Sequence, residues 1–257
     1  MDNLDLDRAK KVMVEILVEI DDICNRNKIN YWLDLGTLLG AIRHKGFIPW
    51  DDDIDITMPR KDYNNFIQIA EKELSSKYFL HTNRTDRNCY SDWIKIRDKK
   101  SIYIEFGEKE NHVSSNSGIF VDIFPLDRIS IKNIKIFNFL RKAFQINPFK
   151  SVFKSVKKRL LHYLLSPTYF FRKKIFKFSK NITNSHGEIA IFGVETWVSY
   201  NFEYELIYPL KKIEFEGLMF NAPNNCDKIL QSYYGDYMKL PAIKDRQVHA
   251  KMIKFLE

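Results

Sequence analysis

The 257-residue chain is poor in cysteine, with only Cys24, Cys89 and Cys226. Three widely spaced thiols form neither a disulfide framework nor a metal-ligand pair, which points to a reducing cytoplasm. No apolar run approaches the ~20 residues of a membrane span, so the sequence does not read as an integral protein. The N-terminal residues carry no signal-peptide pattern, and there is neither an internal repeat nor a low-complexity tract. Acidic residues are missing altogether from 131–180, a stretch with fourteen Lys or Arg. Removing those fourteen from the net charge of +8 leaves the rest of the chain at −6. With 45% hydrophobic and 14% aromatic residues the chain is globular and not disordered.

What is there in excess is local acid. Trp50-Asp51-Asp52-Asp53-Ile54-Asp55-Ile56 puts four carboxylates into five residues between apolar flanks. At ~6 Å and an effective dielectric of ~20, each like-charged pair costs roughly 2–3 kcal/mol, so a cation is expected among them. If the segment is extended, Asp51, Asp53 and Asp55 share one face while Ile54 and Ile56 face the core. Oxygen ligands without adjacent Cys or His suit Mg²⁺ or Mn²⁺, and the glycine and glutamate of an EF-hand loop are absent. Upstream, Asn30–Leu33 reads as a short strand, and Gly36-Thr37 opens an apolar helix whose N-terminus offers N–H groups to a phosphate. Arg43, at the far end of that helix, either screens phosphate charge or is simply solvated.

Further along, Pro59 ends a strand and starts a helix, and Tyr78–His81, Trp93–Arg97 and Ser101–Glu105 read as strands. Lys95 and Arg97 share a strand face, either as donor-phosphate contacts or as solvated cations. Asp122 interrupts the apolar run Ile119–Phe124, where an ionised carboxylate needs a partner or a metal. Asp127, after Pro125, reads as a loop cap. The basic, aromatic-rich stretch fits an anionic membrane surface or a lipid-linked acceptor, or aromatic packing beneath solvated lysines. Nucleic acid is disfavoured, because no recognition motif accompanies the charge. Glu216-Gly217 reads as a hairpin turn and Cys226–Tyr234 as a helix closed by Gly235. Arg246 and His249, three apart, share a face if that end is helical.

The blocks Asp34-Leu35-Gly36-Thr37-Leu38-Leu39-Gly40-Ala41-Ile42-Arg43 and Ile48-Pro49-Trp50-Asp51-Asp52-Asp53-Ile54-Asp55 resemble the signature of the LicD family, as do three later blocks. These are Lys95-Ile96-Arg97-Asp98, Gly118–Asp127, and Tyr234–Met238 with Arg246 and His249. The resemblance implies an α+β, nucleotidyltransferase-like mixed sheet flanked by helices. It implies metal-dependent transfer of a phospho-alcohol, phosphocholine foremost, from a CDP-linked donor to a glycan hydroxyl in a teichoic acid or lipopolysaccharide precursor, with release of CMP. Asp53, Asp55 and Asp122 are then catalytic, and with Asp51 they hold Mg²⁺ or Mn²⁺. Gly36, Thr37, Arg43, Lys95 and Arg97 face the donor; Asp236, Arg246 and His249 are acceptor-side or auxiliary. The organisation expected is a catalytic core over 1–130, a basic helical insertion over 131–182 and a completing segment over 183–257. The location expected is cytoplasmic, peripheral at the inner membrane face. The alternative is a nucleotide-sugar glycosyltransferase using the acids as an Asp-X-Asp motif.

Overall fold

The computed structural model describes residues 3–86, 91–106, 117–145, 171–183, 186–246 and 248–256. The chain divides into two compact units, Met1–Pro125 with Leu206–Glu257, and Leu126–Glu205. The second unit contains the basic stretch together with the strands that follow it.

The first unit begins with helix α1 (Asn3–Asn27), which buries Met13, Ile16, Leu17, Ile20, Ile23 and Cys24 along one face. That three-and-four spacing is the reason the segment is helical: only this period puts all six on one stripe. Strand β1 (Trp32–Leu33) leads into helix α2 (Leu35–His44), then strand β2 (Asp55–Pro59) and helix α3 (Arg60–Glu73). Strands β3 (Tyr78–His81), β4 (Ile94–Asp98), β5 (Ser101–Glu105) and β6 (Phe120–Ile129) follow. The sheet runs β1-β2-β6-β4-β3, with β1–β2, β3–β4 and β4–β6 antiparallel. Residues 119–124 of the apolar run are all buried, as a strand covered on both faces demands.

In the second unit the end of β6 pairs with strand β7 (Ile189–Phe192), which pairs with strand β8 (Asn201–Glu203). Helices α4 (Ile134–Gln145) and α5 (Arg172–Ile182) cover a core of Ile129, Phe137, Leu140, Phe144, Ile189, Ile191 and Val194. Asp127 is not a loop cap. It lies within β6, buried, and its carboxylate takes Lys180 Nζ at 2.8 Å. An apolar residue beyond Pro125 continued the strand instead of ending it.

The chain then returns to the first unit. Strands β9 (Lys211–Phe215) and β10 (Leu218–Ala222) form a hairpin whose turn residues Glu216 and Gly217 have φ of 52° and 76°. Helix α6 (Cys226–Tyr234) is closed by Gly235 at φ 65°, and strand β11 (Ala250–Phe255) pairs antiparallel with β5. Arg246 and His249 share no helix face. A single 3-10 turn at Ile243–Asp245 ends in an extended Arg246 (ψ 118°), because the N–H groups of His249 and Ala250 are taken by the Asp52 carboxylate and not by a helical carbonyl. Cys24 and Cys226 are buried free thiols, and Cys89 lies outside the described residues. Among the described residues no helix is long and apolar enough to cross a membrane.

Helix α2 meets the loop before the acidic segment at Gly40, where a Cβ would stand 2.4 Å from the Gly46 carbonyl oxygen and 3.1 Å from the Ile48 nitrogen. Both neighbours are backbone and cannot swing aside. Gly40→Ala is therefore expected to cost about 1–3 kcal/mol, read as a melting temperature lowered by about 2–4 °C per kcal/mol. An unchanged melting temperature would contradict this packing.

Candidate active site

The acidic segment is not the regular strand its alternation suggested. β2 starts only at Asp55, while Asp51 N bonds back to Ile48 O at 2.9 Å in a turn. The reason lies in Asp52, which points inward. Its buried carboxylate accepts from His249 N at 3.0 Å and Ala250 N at 2.6 Å, and so fastens the start of β11 to the acidic loop. Asp122 N donates to Ile54 O at 2.8 Å, which brings Asp122 level with the loop.

Thr37 and Gly36 act first on the acids themselves. Thr37 Oγ1 accepts from Asp55 N at 2.8 Å, fixing the first residue of β2 against the first turn of α2. A Cβ on Gly36 would lie 2.9 Å from Asp51 Oδ2, so glycine is what lets that carboxylate rest over the helix N-terminus. Just before them, Asp34 caps α2: its carboxylate accepts from Leu35 N (2.9 Å), Trp32 Nε1 (3.2 Å) and Tyr233 OH (3.1 Å). This buried network holds Leu35 at a left-handed φ of 48°. Burial, partly offset by those bonds, pushes the Asp34 carboxyl up to about 6.

Asp122 is oriented from two sides, by Trp93 Nε1 on Oδ1 at 2.7 Å and by Lys95 Nζ on Oδ2 at 3.0 Å. Lys95 is buried directly across the ladder from Asp122, with its ammonium 3.5 Å from the Phe120 ring centroid and 3.9 Å from Glu105 Oε2. Arg97 is also buried, but its bonds run elsewhere, from Nε to His81 Nδ1 and from Nη1 to Gly118 O, both at 2.8 Å. Burial and the facing Arg97 push His81 down to about 4, so its ring is neutral and able to accept. Arg43 donates to Tyr237 O at 3.1 Å, tying α2 to the loop after α6, and Asp236 is exposed in that loop. Arg246 stacks on Trp50, its guanidinium 4.2 Å from the ring centroid, beside the acidic loop.

His249 closes the site. Its Nδ1 lies 3.2 Å from Asp52 Oδ1 and 3.5 Å from Asp53 Oδ2. Ligand atoms of Asp51, Asp53 and His249 all fall within 4.8 Å of one another. Beside them opens a cleft of about 440 Å³ lined by Glu105, Phe106, Arg246, Val248 and His249.

Burial and crowding both act on the charges. Burial first, then neighbouring carboxylates, hold Asp53 and Asp55 well above the usual range. Burial pushes Asp51 up to about 6 and also raises Asp122, despite Lys95. For Asp52 the bonds from His249 and Ala250 outweigh burial and bring its carboxyl below the ordinary value. The Asp52 bond pushes His249 up to about 9 against its own burial. Oxygen ligands converge here, with one imidazole among them and more negative charge than the built-in cations offset. That donor set fits a hard divalent cation.

The sequence pattern alone gives no separate role to Asp34 or Asp52. Asp52 was set apart by falling on the opposite side of the alternation, but its partners are 197 and 198 residues away. The Asn111–Gly118 loop and the aromatic residues Phe149, Phe153, Tyr169 and Phe170 fall wholly or mostly outside the described residues.

The site thus belongs to a class in which clustered aspartates around a helix N-terminus face a cleft. The family model described as LicD/FKTN/FKRP, nucleotidyltransferase domain, matches residues 28–147. The chain is 31% identical to the lipopolysaccharide cholinephosphotransferase LicD of Haemophilus influenzae, over 97% of each protein. It is 44% identical to the ribitol 5-phosphate transferase FKRP of Mus musculus over 38% of this chain and 17% of that protein. An uncharacterised Rickettsia typhi protein is 28% identical over 49% of this chain and 41% of its own length. The chain belongs to the LicD family.

The sign of the pH dependence follows from the shifts. Carboxyls with raised folded-state values favour the fold only below their unfolded values, and that contribution is lost as pH rises through the folded ones. His249, also raised, favours the fold below ~6.5 and loses its contribution as pH rises through about 9. Both act in one direction. The metal-free protein is expected to melt lower as pH goes from about 6 to about 9, with Mg²⁺ restoring more at the alkaline end. Scanning calorimetry with and without a chelator checks this; a melting temperature that rises with pH would contradict it.

Proposed function

We propose that this chain transfers a phospho-alcohol, phosphocholine foremost, from a CDP-linked donor to a hydroxyl of a cell-surface glycan precursor, with release of CMP. One observation carries the reading. Asp51 and Asp53 meet His249, with Asp55 and Asp122 near enough to act on one another's charge, in a chain aligned end to end with a lipopolysaccharide cholinephosphotransferase. The mixed sheet flanked by helices, with the acids at the start of β2 and on β6, supports the nucleotidyltransferase-like description of the family.

In this reading Asp51, Asp53, Asp55 and Asp122 would hold Mg²⁺ or Mn²⁺, which would supply positive charge to the donor diphosphate. The rest is done by the chain. Gly36 and the first turn of α2 present backbone N–H groups toward the phosphates, and the Thr37 hydroxyl, accepting from Asp55 N, still has its own proton to donate. Trp93 and Lys95 keep Asp122 in one orientation while leaving lone pairs on its oxygens. The acceptor hydroxyl loses its proton to a carboxylate of this set. Its oxygen forms the new bond to the phosphorus that bears the alcohol, and the bond from that phosphorus to CMP breaks. Arg246 and the cleft beside it receive donor or acceptor. Lys95 and Arg97 act through Asp122 and His81 and not by touching the donor, since both are engaged inside the protein.

Asp53→Asn and Asp55→Asn are each expected to lower CMP release from CDP-choline by about a thousandfold, the several kcal/mol that metal-assisted charge stabilisation contributes. Asp53→Asn is at the same time expected to stabilise the metal-free fold by about 1–2 kcal/mol, since it removes a repelling charge. Release of CMP at the wild-type rate by either variant would sink the assignment. A donor screen separates the rival: release of a uridine nucleotide from UDP-sugars, with CDP-choline inert, would replace phospho-alcohol transfer by glycosyl transfer.

A further inference from the structure

The second unit carries a surface that the transfer chemistry does not use. Helices α4 and α5 bury Phe137, Leu140 and Phe144 against Ile175, Phe176 and Ile182, with the Phe144 and Phe176 rings 6.2 Å apart. That packing accounts for the inward stripe of each helix. The outward stripes are also apolar. On α4 and the turn before it, Ile131, Ile136 and Phe139 are 61%, 41% and 58% exposed; on α5 and its N-cap, Phe171 and Phe178 are 51% and 46% exposed. Exposed large apolar groups at helical spacing mark an interaction face and not a solvated one.

The lysines lie on the same stripes. Of the fourteen basic residues in 131–180, Lys150, Lys154, Lys157, Lys158 and Arg159 lie outside the described residues. Three others are spent on the fold. Lys180 pairs with Asp127, Arg141 donates to Phe192 O, and Arg172 stacks 4.2 Å from the Phe144 centroid. The remaining six, Lys132, Lys135, Lys142, Lys173, Lys174 and Lys177, are all exposed. On α4, Lys132, Lys135, Lys142 and the exposed Ile136 and Phe139 recur every three or four residues; on α5, Phe171, Lys174 and Phe178 do the same. The stretch supplies no carboxylate to offset them.

We infer that the outer faces of α4 and α5 dock this protein on an anionic lipid surface, the aromatic and aliphatic side chains entering the interface and the six lysines meeting headgroup charge. A helix with phenylalanines and isoleucines on the face that also bears lysines matches the two requirements of interfacial binding, apolar area and attraction to anionic lipid. A nucleic-acid backbone would use the lysines but leave five exposed apolar side chains without a role, and base-stacking surfaces are usually presented on sheets. This assignment rests on the second unit alone and stands independently of which phospho-alcohol is transferred.

Co-sedimentation of the full chain with vesicles tests it. At about 0.1 M salt the protein is expected to sediment with phosphatidylcholine vesicles containing about one quarter phosphatidylglycerol and not with phosphatidylcholine alone, and to be largely released as salt rises several-fold. Lys173→Gln, Lys174→Gln and Lys177→Gln together are expected to weaken binding about a hundredfold. Phe139→Ser with Phe178→Ser is expected to weaken it as well while leaving the salt dependence in place. All five side chains are exposed, so circular dichroism and melting should match wild type. Three results would overturn the inference: equal binding to both vesicle types, undiminished binding by the lysine variant, or no sedimentation at all. Displacement from the anionic vesicles by low concentrations of a single-stranded RNA oligomer would do so too, and would assign the face to nucleic acid.

Discussion

Carboxylates withdrawn from water, and for three of the four crowded by one another, are the constraint on which the first unit depends. Asp51, Asp53, Asp55 and Asp122 are drawn together from one loop and two strands, and each carries a carboxyl raised above its ordinary value. Part of the compensation is built in. Lys95 lies across the ladder from Asp122, and His249 leans on Asp52 and Asp53. The rest is left open, which is how stability and chemistry come to oppose one another at the same few atoms.

Much of the surrounding structure can be understood as scaffolding for that cluster. Asp52, the one acid of the 51–55 segment with a lowered value, is not a spare charge but a clamp. Its carboxylate replaces the helical carbonyls that His249 and Ala250 would otherwise use, and so starts β11 where His249 can reach Asp53. Thr37 clamps the other side by holding Asp55 N, and Gly36 stays small so that Asp51 can approach. Asp34 locks the strand-to-helix corner through Trp32 and Tyr233, and its network keeps Leu35 in a left-handed conformation that a free loop would relax. The long-range bond between Asp34 and Tyr233 also ties the end of α6 to the head of α2.

Features written in local pattern were legible in the sequence. The buried stripe of α1, the α2 start at Gly36-Thr37, the Glu216-Gly217 hairpin and the lone acid in the apolar run of β6 all rest on spacing within a few residues. Features that depend on distant partners were not legible. The 51–54 segment departs from a regular strand because Asp52 is captured 197 residues away, and Arg246 and His249 leave helical geometry for the same reason. Lys95 and Arg97 share a strand face as expected, yet their different fates follow from what faces them, Asp122 in one case and His81 with Gly118 in the other. Asp127 looked like punctuation after a proline and is instead a buried partner for Lys180, a contact that exists only once α5 packs on β6.

We propose that the raised carboxyls of the first unit receive a divalent cation. Titrating Mg²⁺ or Mn²⁺ into the full chain near neutral pH, by calorimetry in two buffers of different ionisation enthalpy, tests it most directly. Metal ligands must be deprotonated, and Asp51, Asp53, Asp55 and Asp122 all keep their protons more tightly than ordinary aspartates, so metal binding there favours proton release. Saturable binding is expected, with a heat that differs between the buffers and corresponds to a net release of protons. Absence of binding, or binding with the same heat in both buffers, would contradict it.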